Sequence, residues 1–160
     1  MGRNPGQLLL ISESKDEVIF QIADGRRFKV SPCDKMFVVS LAWSMDKNGY
    51  VRCGSSKFYL KLLSRLLCLT SLEVDHKDRD PTNNSRDNLR PATRTQNQAN
   101  SGSDAISGFK GVYARRNKFQ AAISINYKKV HLGSFDTAQQ AHTAYLKAAT
   151  KLHGDFSCGG

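Results

Sequence analysis

The sequence predicts an α+β protein of three consecutive modules: a β-rich N-terminal segment, a compact strand–loop–strand–helix core, and a C-terminal three-stranded antiparallel sheet packed on one helix. Three observations predict it. Short apolar runs separated by turn signals fill the first fifty residues. Residues 71–100 are dense in Asp, Asn and Arg, with a strand-like run at each end of a polar loop. From residue 109 onward, three alternating runs precede one alanine-rich helical pattern.

The elements follow in order. QLLLI, EVIFQIA and RRFKVS read as strands, with Ala23-Asp24-Gly25 as a turn. SLAWSM and YVRCG flank Asp46-Lys47-Asn48-Gly49, whose Asn-Gly pair supplies the positive φ angles of a tight hairpin. Trp43 in that hairpin is assigned to the core. KFYLKLLSRLLCL places Phe58, Tyr59, Leu62, Leu63, Leu66 and Leu67 at helical spacing, with Lys61 and Arg65 between them, an amphipathic helix. Leu72–Val74 is a strand that delivers Asp75 and His76 side by side. Asp80–Asn84 is turn chemistry, Asn88–Ala92 the returning strand, and Thr93 with Gln96 has the spacing of a capping box at a helix start.

Ser101-Gly102-Ser103-Asp104 reads as a flexible linker. FKGVYAR, KFQAAISIN and KKVHLGSF are the three C-terminal strands, with Arg116-Asn117 in the first turn. In the middle strand Phe119, Ala121, Ile123 and Ile125 point inward and alternate with Gln120, Ala122, Ser124 and Asn126. Asp136 or Thr137 caps the last helix. Its buried stripe is Ala138, Ala141, Tyr145, Ala148, Ala149 and Leu152, with His142 and His153 on its surface. The expected boundaries are 1–100, a linker at 101–108, and 109–154.

The chain has 160 residues, with 24 Lys and Arg against 14 Asp and Glu, a net charge of +10; residues 101–160 are the most basic part. Such an excess suits a polyanion, because each phosphate neutralised releases condensed counterions. No run approaches the roughly 20 apolar residues that span a bilayer, and Leu8–Ile11 is too short for a secretory signal core. The expectation is a soluble, cytoplasmic protein with no membrane partner. Cys33, Cys53, Cys68 and Cys158 contain no CxxC pair, which argues against a cysteine-type zinc site. In a reducing compartment they are free thiols, though a disulfide between two of them stays open.

The chemistry lies in LEVDHKDRDPTNNSRDNLRPATRTQNQAN, residues 72–100. A strand, loop, strand and helix in about thirty residues can bring Asp75, His76 and Asn97 to one point. Phosphodiester hydrolysis needs a base to activate water, and imidazole titrates at about 6.5, near working pH. It also needs charge neutralised on the leaving oxygen, which suits a hard divalent cation held by Asp and Asn oxygens.

This run resembles the HNH, or ββα-metal, nuclease motif in the form found in phage and intron homing endonucleases: DH, then N-L-R, then N on the helix. VSPCDKMFVVSLAWSMDKNGYVRC is similar to the segment that precedes the motif in these phage enzymes. The resemblance implies a ββα-metal nuclease core that cuts double-stranded DNA with Mg²⁺ or Mn²⁺, and no small-molecule cofactor. His76 is the implied general base, and Asp75 and Asn97 the metal ligands. Asn88 would hold the strands together across the loop so that His76 is aimed correctly. Arg86, Arg90 and Arg94 are candidate phosphate contacts on charge, and Arg65 is a candidate DNA contact. Where these enzymes have Leu-His-Arg before the motif, this chain reads Leu63-Ser64-Arg65. That departure keeps alive an alternative, a DNA-binding regulator that retains the fold without activity. One active site per chain implies nicking by a monomer, or cutting of both strands by a homodimer. A basic RNA-binding protein is a third reading.

GFKGVYARRNKFQAAISINYKKVHLGSFDTAQQAHTAYLKAATKLHG resembles the plant AP-two/ethylene-response-factor DNA-binding domain through its Gly-Val, Leu-Gly-x-Phe-Asp-Thr and Ala-Tyr landmarks. The resemblance implies DNA contacts at Lys110, Tyr113, Arg115, Asn117, Ser124, Lys129 and His131. Several of these are Arg or Trp in the plant proteins, so the target sequence does not carry over.

Overall fold

The computed structural model describes residues 8–54, 61–102, 107–125 and 128–157. Gln7, Phe58, Tyr59, the linker residues Ser103 and Asp104, Asn126 and Cys158 lie outside the described residues. The architecture is α+β, and the chain divides into two compact units, Met1–Pro91 and Ala92–Gly160.

In the first unit β1 (Leu9–Glu13), β2 (Val18–Gln21) and β3 (Arg27–Val30) form an antiparallel meander. On β2 and β3 alternate residues are buried: Val18, Phe20, Phe28 and Val30. A helical turn, Pro32–Asp34, leads into α1 (Lys35–Val39), then the hairpin β4 (Trp43–Met45) and β5 (Val51–Cys53). Helix α1 is an element the sequence did not suggest, since five residues are too few to show a helical period. Trp43 is buried, as expected, and its indole N–H donates to Val38 O at 2.7 Å. Helix α2 (Leu63–Cys68) buries Leu63 and Leu67 in the same core as Phe20, Phe28, Val30, Trp43, Val74 and Leu89.

Strand β6 (Glu73–His76) pairs with β8 (Leu89–Ala92). Between them lies β7 (Asn83–Asn84), which pairs parallel to β3, Lys29 opposite Asn83 and Val30 opposite Asn84. By sequence, Asn83-Asn84 is a turn. Its pairing makes the polar loop the fourth strand of the N-terminal sheet, ordered β1-β2-β3-β7. Lys29 N donates to Thr82 O at 3.0 Å and Arg86 N to Ser31 Oγ at 2.9 Å, extending the same seam.

The second unit begins with α3 (Arg94–Asn100), which the sequence boundaries group with the first module. Its N-terminus carries the expected capping box between Thr93 and Gln96. Strands β9 (Val112–Arg115), β10 (Lys118–Ile125) and β11 (Lys128–Phe135) form an antiparallel sheet with β10 central. Helix α4 (Ala138–His153), capped by Thr137 and Gln140, packs on it through Ala141, Tyr145 and Ala149. Three details differ from expectation. A bulge between Ala121 and Ala122 breaks the alternation, so both are buried. Leu152 is exposed, whereas His142 is buried, with its ring 4.6 Å from Phe109 and parallel to Tyr145. Imidazole fills this aromatic seam as a flat ring, which helical spacing cannot distinguish from a surface position.

Candidate active site

Strand β6 ends in two buried polar side chains, Asp75 and His76, at 3% and 6% exposure. Burial of a charge or an imidazole is costly unless each is partnered. Asp75 Oδ2 accepts from Arg90 Nε at 2.7 Å, an ion pair brought together by the pairing of β6 with β8. His76 Nε2 lies 3.4 Å from Asn84 Oδ1. The Asn84 amide is oriented by its other end, since Nδ2 donates to Pro81 O at 3.1 Å and to Thr82 O at 3.3 Å. Oδ1 is therefore the atom presented to the ring, and it accepts from Nε2–H. With Nε2 protonated, neutral His76 carries its lone pair on Nδ1. The Tyr50 ring stands edge-on to the imidazole with centroids 6.0 Å apart. Burial pushes the His76 pKa below the ordinary imidazole value, against the Asn84 hydrogen bond and the charges of Asp78, Asp75 and Asp80.

The loop after His76 supports itself. Asn88 Nδ2 donates to Asp78 Oδ1 at 2.9 Å and to Asn83 O at 2.8 Å, while its Oδ1 accepts from Asp78 N at 3.0 Å. Lys77 N donates to Asn88 O at 2.9 Å. Asp78 also accepts from Asn83 Nδ2 at 2.6 Å and Asp80 N at 2.9 Å. Partial burial would raise the Asp78 carboxyl, but the hydrogen bonds from Asn83, Asp80 and Asn88 prevail and lower it. Asn88 thus spans the loop from its start to its return. Asn88→Ala removes two donors and an acceptor from part-buried partners and is expected to cost about 1–3 kcal/mol, read as a lower urea midpoint at unchanged slope.

The predicted phosphate contacts fare differently. Arg90 is committed to Asp75, with its side chain 15% exposed. Arg86 grips buried Asp34 through Nε at 2.9 Å and Nη2 at 2.6 Å, and these contacts raise its already high pKa. Buried carboxylates demand a fixed counter-charge, and these two arginines supply it. Arg65 is half-buried on α2 and Arg94 exposed in the first turn of α3. Ser64, at the departure from the Leu-His-Arg pattern, is buried. Asn97 is half-buried on α3, in the second unit. Among the described residues no three His, Cys, Asp or Glu side chains cluster as a metal site, and no helix is long and apolar enough to cross a membrane. Asp34, Tyr50 and Asn84 carried no signal in the sequence beyond the Asn-Asn pair, which reads as turn chemistry.

In the second unit the outer face of the C-terminal sheet forms an open concavity of about 590 Å³ lined by Tyr113, Arg115, Gln120, Lys129 and His131 among others. Tyr113 opposes Gln120 across β9 and β10, and His131 opposes Ala122 across β10 and β11. Lys129 Nζ sits 3.7 Å from the Tyr113 ring centroid, a cation–π contact that holds the ammonium over the face. Asn117 is exposed in the β9–β10 turn and Ser124 is exposed on β10. Lys110 does not line this concavity. Its ammonium donates instead to the carbonyls that end α3.

Comparison with known proteins adds three findings. Residues 63–99 match the sequence profile of the HNH endonuclease family. The chain is 29% identical over 153 residues to an uncharacterized HNH endonuclease of Acanthamoeba polyphaga mimivirus, covering 89% of this chain and 81% of that protein. It is also 40% identical over 50 residues to an ethylene-responsive transcription factor-like protein of Arabidopsis thaliana, covering 31% of this chain and 20% of the plant protein. No solved structure matches the chain at a significant level.

Proposed function

We propose that this chain is a metal-dependent endonuclease that nicks double-stranded DNA at chosen sites, in the manner of homing enzymes. The match of residues 63–99 to HNH endonucleases supports nuclease activity. The observation that carries the reading is His76: a buried imidazole at the end of β6, beside Asp75, oriented by Asn84 and depressed in pKa.

The donor chemistry fits a hard divalent ion. The two ligands the resemblance implies are a carboxylate, Asp75, and a carboxamide, Asn97, oxygen donors of the kind Mg²⁺ or Mn²⁺ accepts beside waters and phosphate. A bound ion would neutralise charge on the scissile phosphate and the departing oxygen. His76 takes a proton from the attacking water, Asn84 holds the ring through Nε2, and Asn88 ties the start of the loop to its return. The test is supercoiled-plasmid nicking with Mg²⁺. Nicking that EDTA abolishes supports the reading. Intact DNA binding with no nicking under any divalent ion favours the regulator, to which buried Ser64 would then be the pointer.

The depressed His76 pKa gives a pH signature. A base must be deprotonated to act, so activity is lost as pH falls through the imidazole pKa. With that pKa below the ordinary value of about 6.5, the acid limb of the nicking rate is expected to have its midpoint below 6.5. A midpoint at or above 7 contradicts the burial argument.

The C-terminal sheet face is read as the duplex-DNA contact, supported by its Arg115, Lys129 and His131 and by the local similarity to the plant protein. Removing one cation that neutralises a DNA phosphate lowers the slope of log K against log salt by about 0.9. Arg115→Ala and Lys129→Ala are each expected to weaken binding across all duplex sequences and to flatten that slope by this amount. A slope unchanged in both variants places the DNA elsewhere.

A further inference from the structure

Helix α3 is only seven residues long, yet it carries Asn97. So short a helix is marginal without help at both ends, because its terminal N–H and C=O groups lack intrahelical partners. The Thr93–Gln96 capping box secures its start. Its last turn contains no basic residue to meet the exposed carbonyls.

That cation arrives from beyond the linker. Lys110 Nζ donates to Gln98 O at 2.8 Å, Ala99 O at 2.8 Å and Ser101 O at 2.5 Å, with Ser101 Oγ at 3.2 Å. Three converging carbonyls at a helix C-terminus form an electronegative cup, and an ammonium there gains charge-assisted hydrogen bonds and the favourable end of the helix dipole. The same ammonium, after burial, lowers the pKa of His153 at the end of α4.

We propose that Lys110 is a positioning residue of the nuclease reaction: it clips the C-terminal end of α3 to the DNA-reading unit and so fixes Asn97, instead of contacting DNA phosphate. The proposal rests on the reading of Asn97 as a metal ligand.

The test compares wild type with Lys110→Met and Lys110→Arg in the full chain. Three readouts are used: amide hydrogen exchange across residues 97–102, DNA affinity as a function of salt, and the Mg²⁺ dependence of plasmid nicking. For Lys110→Met the expected result is faster exchange in α3, kcat reduced roughly tenfold or more, a higher Mg²⁺ concentration for half-maximal rate, and a salt slope unchanged from wild type. Lys110→Arg, which keeps the charge and donors, is expected to recover much of the loss. Two results overturn the proposal: a salt slope reduced by about 0.9 with α3 exchange unaltered, which makes Lys110 a phosphate contact, or faster α3 exchange with nicking unaffected, which makes the clip purely structural. Failure of wild type itself to nick removes the nuclease reading and this proposal together, whereas wild-type nicking with an indifferent Lys110→Met removes this proposal alone.

Discussion

Replacing His76 by alanine lowers the plasmid-nicking rate by about 10²–10⁴-fold, the usual contribution of a positioned general base. That range corresponds to about 3–5.5 kcal/mol of transition-state stabilisation. Duplex DNA affinity should be unchanged, because the sheet face proposed to contact DNA lies in the other unit. The side chain is buried, so alanine also leaves a cavity. His76→Gln, which fills more of the space and has no basic nitrogen, separates lost chemistry from lost packing. Both variants should be equally inactive, and added imidazole should partly restore His76→Ala but not His76→Gln. Nicking within about threefold of wild type in both would mean that another group activates the water, whatever the neighbourhood of Asp75 suggests.

Gly111→Ala is expected to unfold the second unit while sparing the first. Gly111 has φ +72°, and a Cβ there would lie 2.2 and 2.4 Å from two ring carbons of Tyr145 and 2.7 Å from the Ala122 carbonyl oxygen. Tyr145 is buried against Ile123 and Ala149, and Ala122 N donates to Gly111 O at 2.9 Å, so neither obstacle is a loose side-chain end. Left-handed strain and overpacking together cost about 3–5 kcal/mol, a large share of the stability of so small a unit. Gly108→Ala is the control. Its φ is also +72°, but nothing lies within 4 Å of the added carbon, so only the conformational cost of about 1–2 kcal/mol applies. The sole tryptophan, Trp43, reports on the first unit. In Gly111→Ala its fluorescence transition should stay in place while the far-UV signal gains an early phase and DNA affinity drops. A single transition, shifted equally by both probes, would overturn this expectation.

Most strands and both capping boxes were legible because they depend on neighbours a few residues apart. Short runs around an Ala-Asp-Gly turn named β2 and β3, alternation named β10, an Asn-Gly pair named the β4–β5 hairpin, and Thr-x-x-Gln spacing named the start of α3 and one of two candidate caps for α4. The Asp-His pair followed by Asn-Leu-Arg was legible as a family motif for the same reason: it is a short ordered string. The bulge at Ala121–Ala122, the two-residue strand β7 and the short helix α1 left no such trace.

Residue types and their order were enough to assign an α+β chain and a basic C-terminal sheet, and to nominate by resemblance a base and two oxygen donors. They did not reveal the partner of each charge. Arg86 and Arg90 read as phosphate contacts on charge and Lys110 as a DNA contact by resemblance, and in the fold they meet Asp34, Asp75 and the end of α3. Asn84 likewise changes from turn residue to the hydrogen-bond partner of His76 once β7 joins β3. A side chain's charge is a property of the chain, but its nearest opposite charge depends on contacts between residues 52 or 15 positions apart, and those exist only after the sheets have paired.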